Sequence, residues 1–460
     1  MIVKNKETLV NNALTDKQRR ARRMMLDIVE SALNSVHPRS LIMNKISVDG
    51  KYINIAGFRI NKSEARRIYV VGAGKGSGYL AEAVEEKIGE HIEAGIVSVL
   101  SGTSGYFKTK KIKILESSHP IPDDKCIHAA ERIFNLINEA DDRDLILCLI
   151  TGGGSALITY PAEGIALKDL QDTHKTLLSS GANIIEMNAI KKHLSRIAGG
   201  WLAKRAYPKK IISLIISDVV GDRIDTIGAG PTAPDQTTFK DCLSVIDKYS
   251  IRDRLPASII EYLNEGVNGL RPETLKESDP VFKNVKNIII GSNRIALNNI
   301  VSLAEKTGYN PLLLSSTMEG EARELGVFLI NIAKEIAETD KPVQKPALIV
   351  CGGETTVTLK GEPGLGGRNQ TVTLSAITKI NSLENITVCC VGTDGLDGNS
   401  KAAGAISDTY TLRKAGELGL NPDSYLSSFN TNTFFNIVGD EIITGPTGTN
   451  VNDIYMVMVS

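Results

Sequence analysis

The sequence predicts two α/β domains, each a sheet with helices packed on it, and three observations carry that prediction. Apolar runs of strand length alternate with helical stretches from Arg67 onward. The alternation is interrupted at residues 265–280, "EGVNGLRPETLKESDP", a polar stretch with Pro and Gly that reads as a linker. Glycine-rich loops cluster where the apolar runs end, the edge at which open α/β sheets bind ligands. The expected division is residues 1–268 and 281–460, with residues 1–60 a helix plus hairpin extension of the first domain.

The chain of 460 residues exceeds what one core usually serves. It carries 53 basic and 53 acidic residues, a balance that gives no reason to expect nucleic acid as a partner. No stretch approaches the ~18 apolar residues of a membrane span, and "IVKNKETLVNN" lacks the apolar run of a signal peptide. The six cysteines form no CxxC pair and sit mostly in apolar runs, as buried thiols of a cytoplasmic protein would.

In chain order, Thr15 and Gln18 form a capping box that opens a helix through "KQRRARRMMLDIVESALNSV". "ISVDGKYINI" reads as a hairpin turning at Asp49-Gly50. "IYVVGA", "GIVSVL", "IKIL", "LILCLI" and "IISLIIS" are strands of a parallel sheet covered on both faces. "VKNIIIGS", "NPLLLSS", "ALIVCGGE", "ITVCCVGTDG" and "NDIYMVMV" supply the second domain.

The loops carry the chemistry. "VVGAGKGSG" (70–78) places Gly74 and Lys75 in a strand-to-helix turn that suits an anion. A dinucleotide site would add a carboxylate at the end of the next strand, for the ribose. That strand ends in Leu100-Ser101-Gly102. "ITGGGSALITYPAEG" (150–164) offers Gly152, Gly153, Gly154 and Ser155 as a backbone cradle for phosphate oxygens. No Gly-Lys-Ser/Thr follows, so it is not a P-loop. In "ISDVVGDRIDTIGAGPTAPD" (216–235), Asp218 follows a strand and can hold Mg²⁺ or accept a hydroxyl proton. Asp225 reads as a turn residue, and Asp222 is open to the same reading. "CGGETTVTLKGEPGLGGRNQ" (351–370) carries Glu354 and then Arg368, an arginine placed to grip a phosphate or carboxylate. "VGTDGLDGNS" (391–400) repeats the carboxylate theme with Asp394, a second candidate for the metal, and Asp397. His119, in "SSHPIPDD", reads as structural, as a lone histidine usually is.

Taken in order, "GAGKGSG", "SSHPIPDD", "TGGGSAL", "MNAIKKHLSRIAGG", "SDVVGD", "GAGPT", "CGGET", "GLGGRNQ" and "TDGLDG" resemble the glycerate 2-kinase family, the class II glycerate kinases with a C-terminal MOFRL domain. The resemblance covers the chain from about Arg67 to its end. It implies a Rossmann-like N-terminal domain, a smaller C-terminal α/β domain and an active site in the cleft between them. It implies ATP-dependent phosphorylation of D-glycerate to 2-phosphoglycerate with Mg²⁺ or another divalent cation, and it leaves a homodimer open. The family's active-site lysine falls on Lys75 and its active-site arginine on Arg368. Where the family commonly has Arg-Lys-His-Leu-Ser and then Lys-Gly-Gly, this chain has Lys191 for the arginine and Ala198 for the lysine, so the nucleotide contact expected of Lys191 loses the planar fork.

The assembled expectation gives the phosphates to the Gly152–Ser155 nest with Lys191 and Glu354. Asp218 binds the metal or orients the 2-hydroxyl. Lys75 and Arg368 clamp the transferring phosphoryl and the glycerate carboxylate. Some relatives were formerly named hydroxypyruvate reductases. An NAD(P)H-dependent hydroxypyruvate or tartronate-semialdehyde reductase is therefore the alternative, and a non-catalytic sugar-phosphate-binding regulator is the third reading.

Overall fold

The computed structural model describes residues 2–63, 66–359, 361–380 and 385–460. The chain forms two compact units, Pro38–Ile290 and a split unit made of Met1–His37 with Gly291–Ser460.

Among the described residues the first unit holds the hairpin extension and a six-stranded sheet. The extension has three antiparallel strands, β1 (Ile46–Asp49), β2 (Tyr52–Ile55) and β3 (Phe58–Asn61). Asp49 pairs with Tyr52, so the turn falls at Gly50 as expected. The sheet uses β4 (Ile68–Ala73), β5 (Ile92–Leu100), β6 (Ile112–Ser117), β7 (Leu145–Ile150), β8 (Lys210–Ile216) and β9 (Val285–Gly291). Their spatial order is β6-β5-β4-β7-β8-β9, and the pairs from β6 to β8 are parallel. Renumbered within the unit this is 3-2-1-4-5-6, the Rossmann order. β4 and β7 are buried at every position, which is why they read as continuous apolar runs. The helix Asp124–Glu139 packs Ala129, Ile133 and Ile137 against Val71 and Ile146. A separate core of Leu177, Ile190, Cys242, Ile246 and Leu263 holds the helices Leu167–Leu178, Ile184–His193, Phe239–Lys248 and Ala257–Val267 together.

The split unit has a mixed sheet. Its strands are β10 (Asn310–Met318), β11 (Ala347–Gly353), β12 (Ile386–Gly392), β13 (Gly404–Asp408), β14 (Glu441–Ile442) and β15 (Asp453–Val459). The order is β10-β11-β15-β12-β13-β14, with β10 and β11 parallel and the remaining pairs antiparallel. Strand β15 runs between β11 and β12 in the opposite direction, so its first residue, Asp453, lies beside Gly353 and Gly392 at their carboxyl ends.

Two expectations of domain boundary do not match this division. Residues 265–280 do not separate the units. The helix Ala257–Val267 runs into a loop that buries Thr274 and Leu275 and is pinned by hydrogen bonds from Leu275 N to Gly199 O and from Asp235 N to Leu275 O. Strand β9 then completes the first sheet. The capping box at Thr15 and Gln18 is formed and opens the helix Asp16–Ser35, but this helix belongs to the split unit. Its buried Arg22 is gripped by Asp408 and Asp440. All six cysteines are buried and free. No helix among the described residues is long and apolar enough to cross a membrane.

Candidate functional site

At the carboxyl edge of the first sheet four loops converge where the strand order reverses, between β4 and β7, the place where such sheets bind ligands. Lys75 follows β4 by two residues, the Gly152–Gly154 nest follows β7, His119 follows β6 and Asp218 follows β8. The first two loops are laced together. Lys75 N donates to Gly152 O at 2.9 Å, and Gly76 N donates to Thr151 Oγ1 at 2.9 Å. The helix Ser77–Ile88 begins directly after this turn, and its first N–H groups favour an anion.

Gly152 and Gly153 are required here. A methyl group on Gly152 would fall 1.8 Å from Asp218 Oδ2, so the carboxylate lies against the nest. Gly153 has φ +82°, and a methyl group there would lie 3.2 Å from His119 Nε2 and 3.3 Å from Lys75 Cγ. Lys75, His119, Asp218 and the glycine nest are therefore one constellation. His119, read from sequence as structural, stands inside it, and burial first, then Lys75 and Lys191, hold its imidazole down to about 4. It is neutral at physiological pH. Lys191 shows its presence electrostatically at His119 and at buried His174, held down to about 3 by burial first. Burial also lowers Lys191 itself.

The other basic residues of that helix have structural work. Lys192 Nζ is buried 2.7 Å from Asp235 Oδ1, and His193 Nε2 lies 2.5 Å from Glu273 Oε1. Asp225 receives Arg223 and lies 3.5 Å from Lys192, a structural position. Ser155 sits in the four-residue helix Gly154–Leu157.

In the split unit, Arg368 opens the helix Arg368–Ile377. Its Nη1 donates to Glu354 Oε1 at 2.8 Å and its Nε lies 2.5 Å from Asp453 Oδ2. Its third contact, Nη2 to Asp453 Oδ1, is 3.5 Å. Of the guanidinium's five N–H donors, two remain for another anion. Burial opposes its charge, but Asp453 and Glu354 outweigh burial and keep it protonated. Of the two carboxylates in "GTDGLDG", Asp397 is the buried one. It accepts from Asn369 N at 2.9 Å and Gln370 N at 2.8 Å, capping the arginine's helix from another loop. Asp394 is half-buried, and its Oδ1 accepts from Leu396 N at 3.0 Å in a local turn. Asp453 was not among the residues read from sequence. A carboxylate opening an otherwise apolar strand gives no signal until β15 is seen between β11 and β12.

Burial pushes Asp397 up to about 7 and Asp453 up to about 6. Hydrogen bonds from Gln370 and Asn369 oppose the first shift, and Arg368 opposes the second. A carboxyl with a folded pKa above its unfolded value of about 3.9 binds more protons folded than unfolded, so its contribution to stability falls as pH rises. His119 and His174, depressed below the ordinary histidine value of about 6.5, give the opposite slope below that pH. Comparing an Asp397→Asn chain with the wild type cancels the histidines. The stability of the variant relative to wild type is expected to climb between pH 4 and 7, by up to about 1.4 kcal/mol per unit, and to level above pH 7. Urea unfolding at a series of pH values checks this, and a flat difference contradicts it.

Fold and loops together define a two-unit α/β protein with a glycine nest, a lysine, a histidine and a carboxylate gathered at the strand ends of a Rossmann-order sheet. Residues 24–264 match the family model described as a domain of unknown function, DUF4147, and residues 347–453 match the MOFRL family. The chain is similar to a glycerate 2-kinase of Pyrococcus horikoshii, 40% identical over 95% of this chain and 97% of that one. It is similar to a putative hydroxypyruvate reductase of Agrobacterium vitis, 37% identical over 95% of this chain and 94% of that one. The crystal structure of a glycerate kinase of Thermotoga maritima superposes with a TM-score of 0.84, at 34% identity, over 96% of this chain and all (100%) of that one. The chain belongs to the glycerate 2-kinase family.

Proposed function

We propose that this chain transfers the γ-phosphoryl group of ATP to the 2-hydroxyl of D-glycerate, giving 2-phosphoglycerate and ADP. The observation that carries the geometry is the convergence of Lys75, His119 and Asp218 on the Gly152–Gly154 nest. In such a transfer the hydroxyl oxygen bonds to the γ-phosphorus as the bond to the β–γ bridging oxygen breaks. ADP leaves with that electron pair, and the hydroxyl proton passes to a carboxylate or water. The protein's share of the work is positioning and charge neutralisation.

Each part has a candidate. The nest's backbone, Gly74 and Ser155 cradle phosphate oxygens, and the exposed ammonium of Lys75 meets the charge that moves during transfer. Neutral His119 offers a ring N–H to a phosphate oxygen without adding charge. Lys191 supplies a second cation from the helix Ile184–His193. Arg368 presents its two remaining donors to a carboxylate or phosphate, held in orientation by Glu354 and Asp453.

Mg²⁺ is usually held by one or two carboxylates plus substrate phosphates. Asp218, lying against the nest, fits that pattern as the protein ligand. Asp394 fits it less well, since its Oδ1 is taken by the turn. Among the described residues no cluster of three metal-ligating side chains occurs, which also suits an ion carried in on the nucleotide. When bound, the ion neutralises phosphate charge.

The names of two relatives favour reduction of hydroxypyruvate as a second reading. The test is a direct comparison with purified chain: ATP consumption with D-glycerate and Mg²⁺, against NADH and NADPH oxidation with hydroxypyruvate. Phosphorus NMR of the product distinguishes 2- from 3-phosphoglycerate. The kinase reading requires the first activity and the 2-phosphate. Reduced-nicotinamide oxidation without ATP turnover would overturn it.

A further inference from the structure

Away from the carboxyl-edge loops, the Pro38–Ile290 unit contains a pocket of about 590 Å³, a size typical of small-molecule sites. Its floor comes from Phe134 and Asn138, in the second half of the helix Asp124–Glu139, and from the helix Trp201–Ala206. Both helices return from the carboxyl edge toward the strand starts, the first leading to β7 and the second to β8. The pocket thus lies on the helix-covered side of the sheet rather than over the glycine nest.

Its lining combines flat aromatic walls with an excess of cations. Tyr160 stands edge-on to Phe134, their centroids 5.4 Å apart, and the Arg196 guanidinium lies 4.3 Å from the Tyr160 ring centroid. Trp201 is half-buried at the pocket wall. Arg271 sits 4.9 Å from the buried Tyr262 ring and is paired with Glu265. Lys204 and Arg205 are exposed and form no ion pair among the described residues. Four cations, Arg196, Lys204, Arg205 and Arg271, face one exposed lining carboxylate, Glu163, and the partly buried Glu273 contacts His193 and Lys276 nearby. A three-carbon phosphate would leave most of this volume empty and make no use of the aromatic walls. A planar base stacks on aromatic and guanidinium faces, and the unpaired cations suit its phosphates.

We propose that this pocket binds a nucleotide, base against Tyr160 and Trp201 and phosphates toward Lys204 and Arg205, at a site separate from the one that donates the phosphoryl group. Two of its walls continue directly from that site's segments. Tyr160 follows the glycine nest, and Ser195 and Arg196 follow the helix that carries Lys191. The segments are joined by the hydrogen bond from Arg196 N to Tyr160 O at 2.8 Å and by a bridge between Pro161 and Ser195. An occupant would therefore press on the two segments that place the nest and Lys191.

Trp201 is the chain's single tryptophan, so its fluorescence reads this pocket without interference. The full chain is titrated with AMP, ADP and ATP, and with pyrophosphate and inorganic phosphate as base-free comparators. The expected result is a saturable change with at least one nucleotide, with a midpoint at least tenfold lower than for pyrophosphate. In the doubly substituted chain Lys204→Ala, Arg205→Ala the midpoint should rise at least tenfold while KM for ATP stays within twofold. No saturable change, equal midpoints for pyrophosphate and nucleotides, or an unmoved midpoint in the variant would overturn the proposal. So would a rise in KM for ATP matching the loss of binding, because the pocket would then be the donor site.

Discussion

A Lys75→Ala chain is expected to phosphorylate D-glycerate about a thousandfold more slowly than wild type while melting at the same temperature. Removing a single well-placed donor of charge stabilisation from an active site costs on the order of 10²–10³ in turnover. Lys75 contributes a full charge beside a nest that can do no more than offer backbone dipoles, so the upper end applies. The fold has no comparable stake in the side chain. Lys75 is exposed, and the bond that joins its loop to the nest uses its backbone N–H, which alanine retains. Steady-state turnover with ATP and D-glycerate, beside a thermal melt, checks both halves. A chain with near-normal turnover would remove Lys75 from the transfer. A chain that melts early would show that the side chain supports the turn instead. A Lys75→Arg chain adds a discriminating case. It keeps the charge but replaces a compact ammonium with a planar fork, so partial recovery points to charge and none points to shape.

How much of this was legible beforehand depends on the kind of signal. Strands β4 and β7 announced themselves because a strand buried on both faces must be apolar at each position. The loops announced themselves because close backbone approach excludes a side chain, as at Gly152 against Asp218. His119 gave no such signal. Its neighbourhood is made by β6 and β7 being brought to one edge, and nothing within "SSHPIPDD" encodes that. The same limit explains the exchange of emphasis within "GTDGLDG". Both carboxylates look alike in sequence, yet Asp397 is buried against Gln370, 27 residues upstream in the first turn of a helix, while Asp394 only closes its own turn. Lys191 and Lys192 differ for a helical reason. Consecutive residues point about 100° apart, so one acts through its charge on His119 and His174 while the other is buried on Asp235. The stretch at 265–280 is polar and Pro/Gly-containing, as linkers are, yet it lies within the Pro38–Ile290 unit. Its Thr274 and Leu275 nevertheless find partners only the folded unit can supply.

The place of the first 37 residues in the split unit rests on Arg22, and replacing it is expected to be the most destabilising single change in that unit. The guanidinium is 1% exposed and uses its donors fully. Nε reaches Asp408 Oδ2 at 2.8 Å, Nη1 reaches Asp440 Oδ1 at 2.6 Å and Leu9 O at 3.0 Å, and Nη2 reaches Asp440 Oδ2 at 3.0 Å and Thr411 Oγ1 at 3.2 Å. Both carboxylates are as buried as the arginine. Burial works against its charge, but Asp440 and Asp408 more than compensate and raise its pKa. Arg22→Ala strands two buried carboxylates, and breaking a buried pair from one side costs about 3–5 kcal/mol. The loss should appear in hydrogen exchange as lowered protection of the helix Asp16–Ser35 and of β13, whose last residue is Asp408. The physical cause separates two outcomes. If unpaired charge is responsible, the chain Arg22→Met, Asp408→Asn, Asp440→Asn should regain much of the protection, because removing all partners of a buried pair costs far less than removing one. If Arg22→Ala leaves protection in the helix Asp16–Ser35 unchanged, Arg22 does not anchor that helix, and the segment's place in the split unit must rest on its apolar face, Met25, Leu26, Val29 and Leu33.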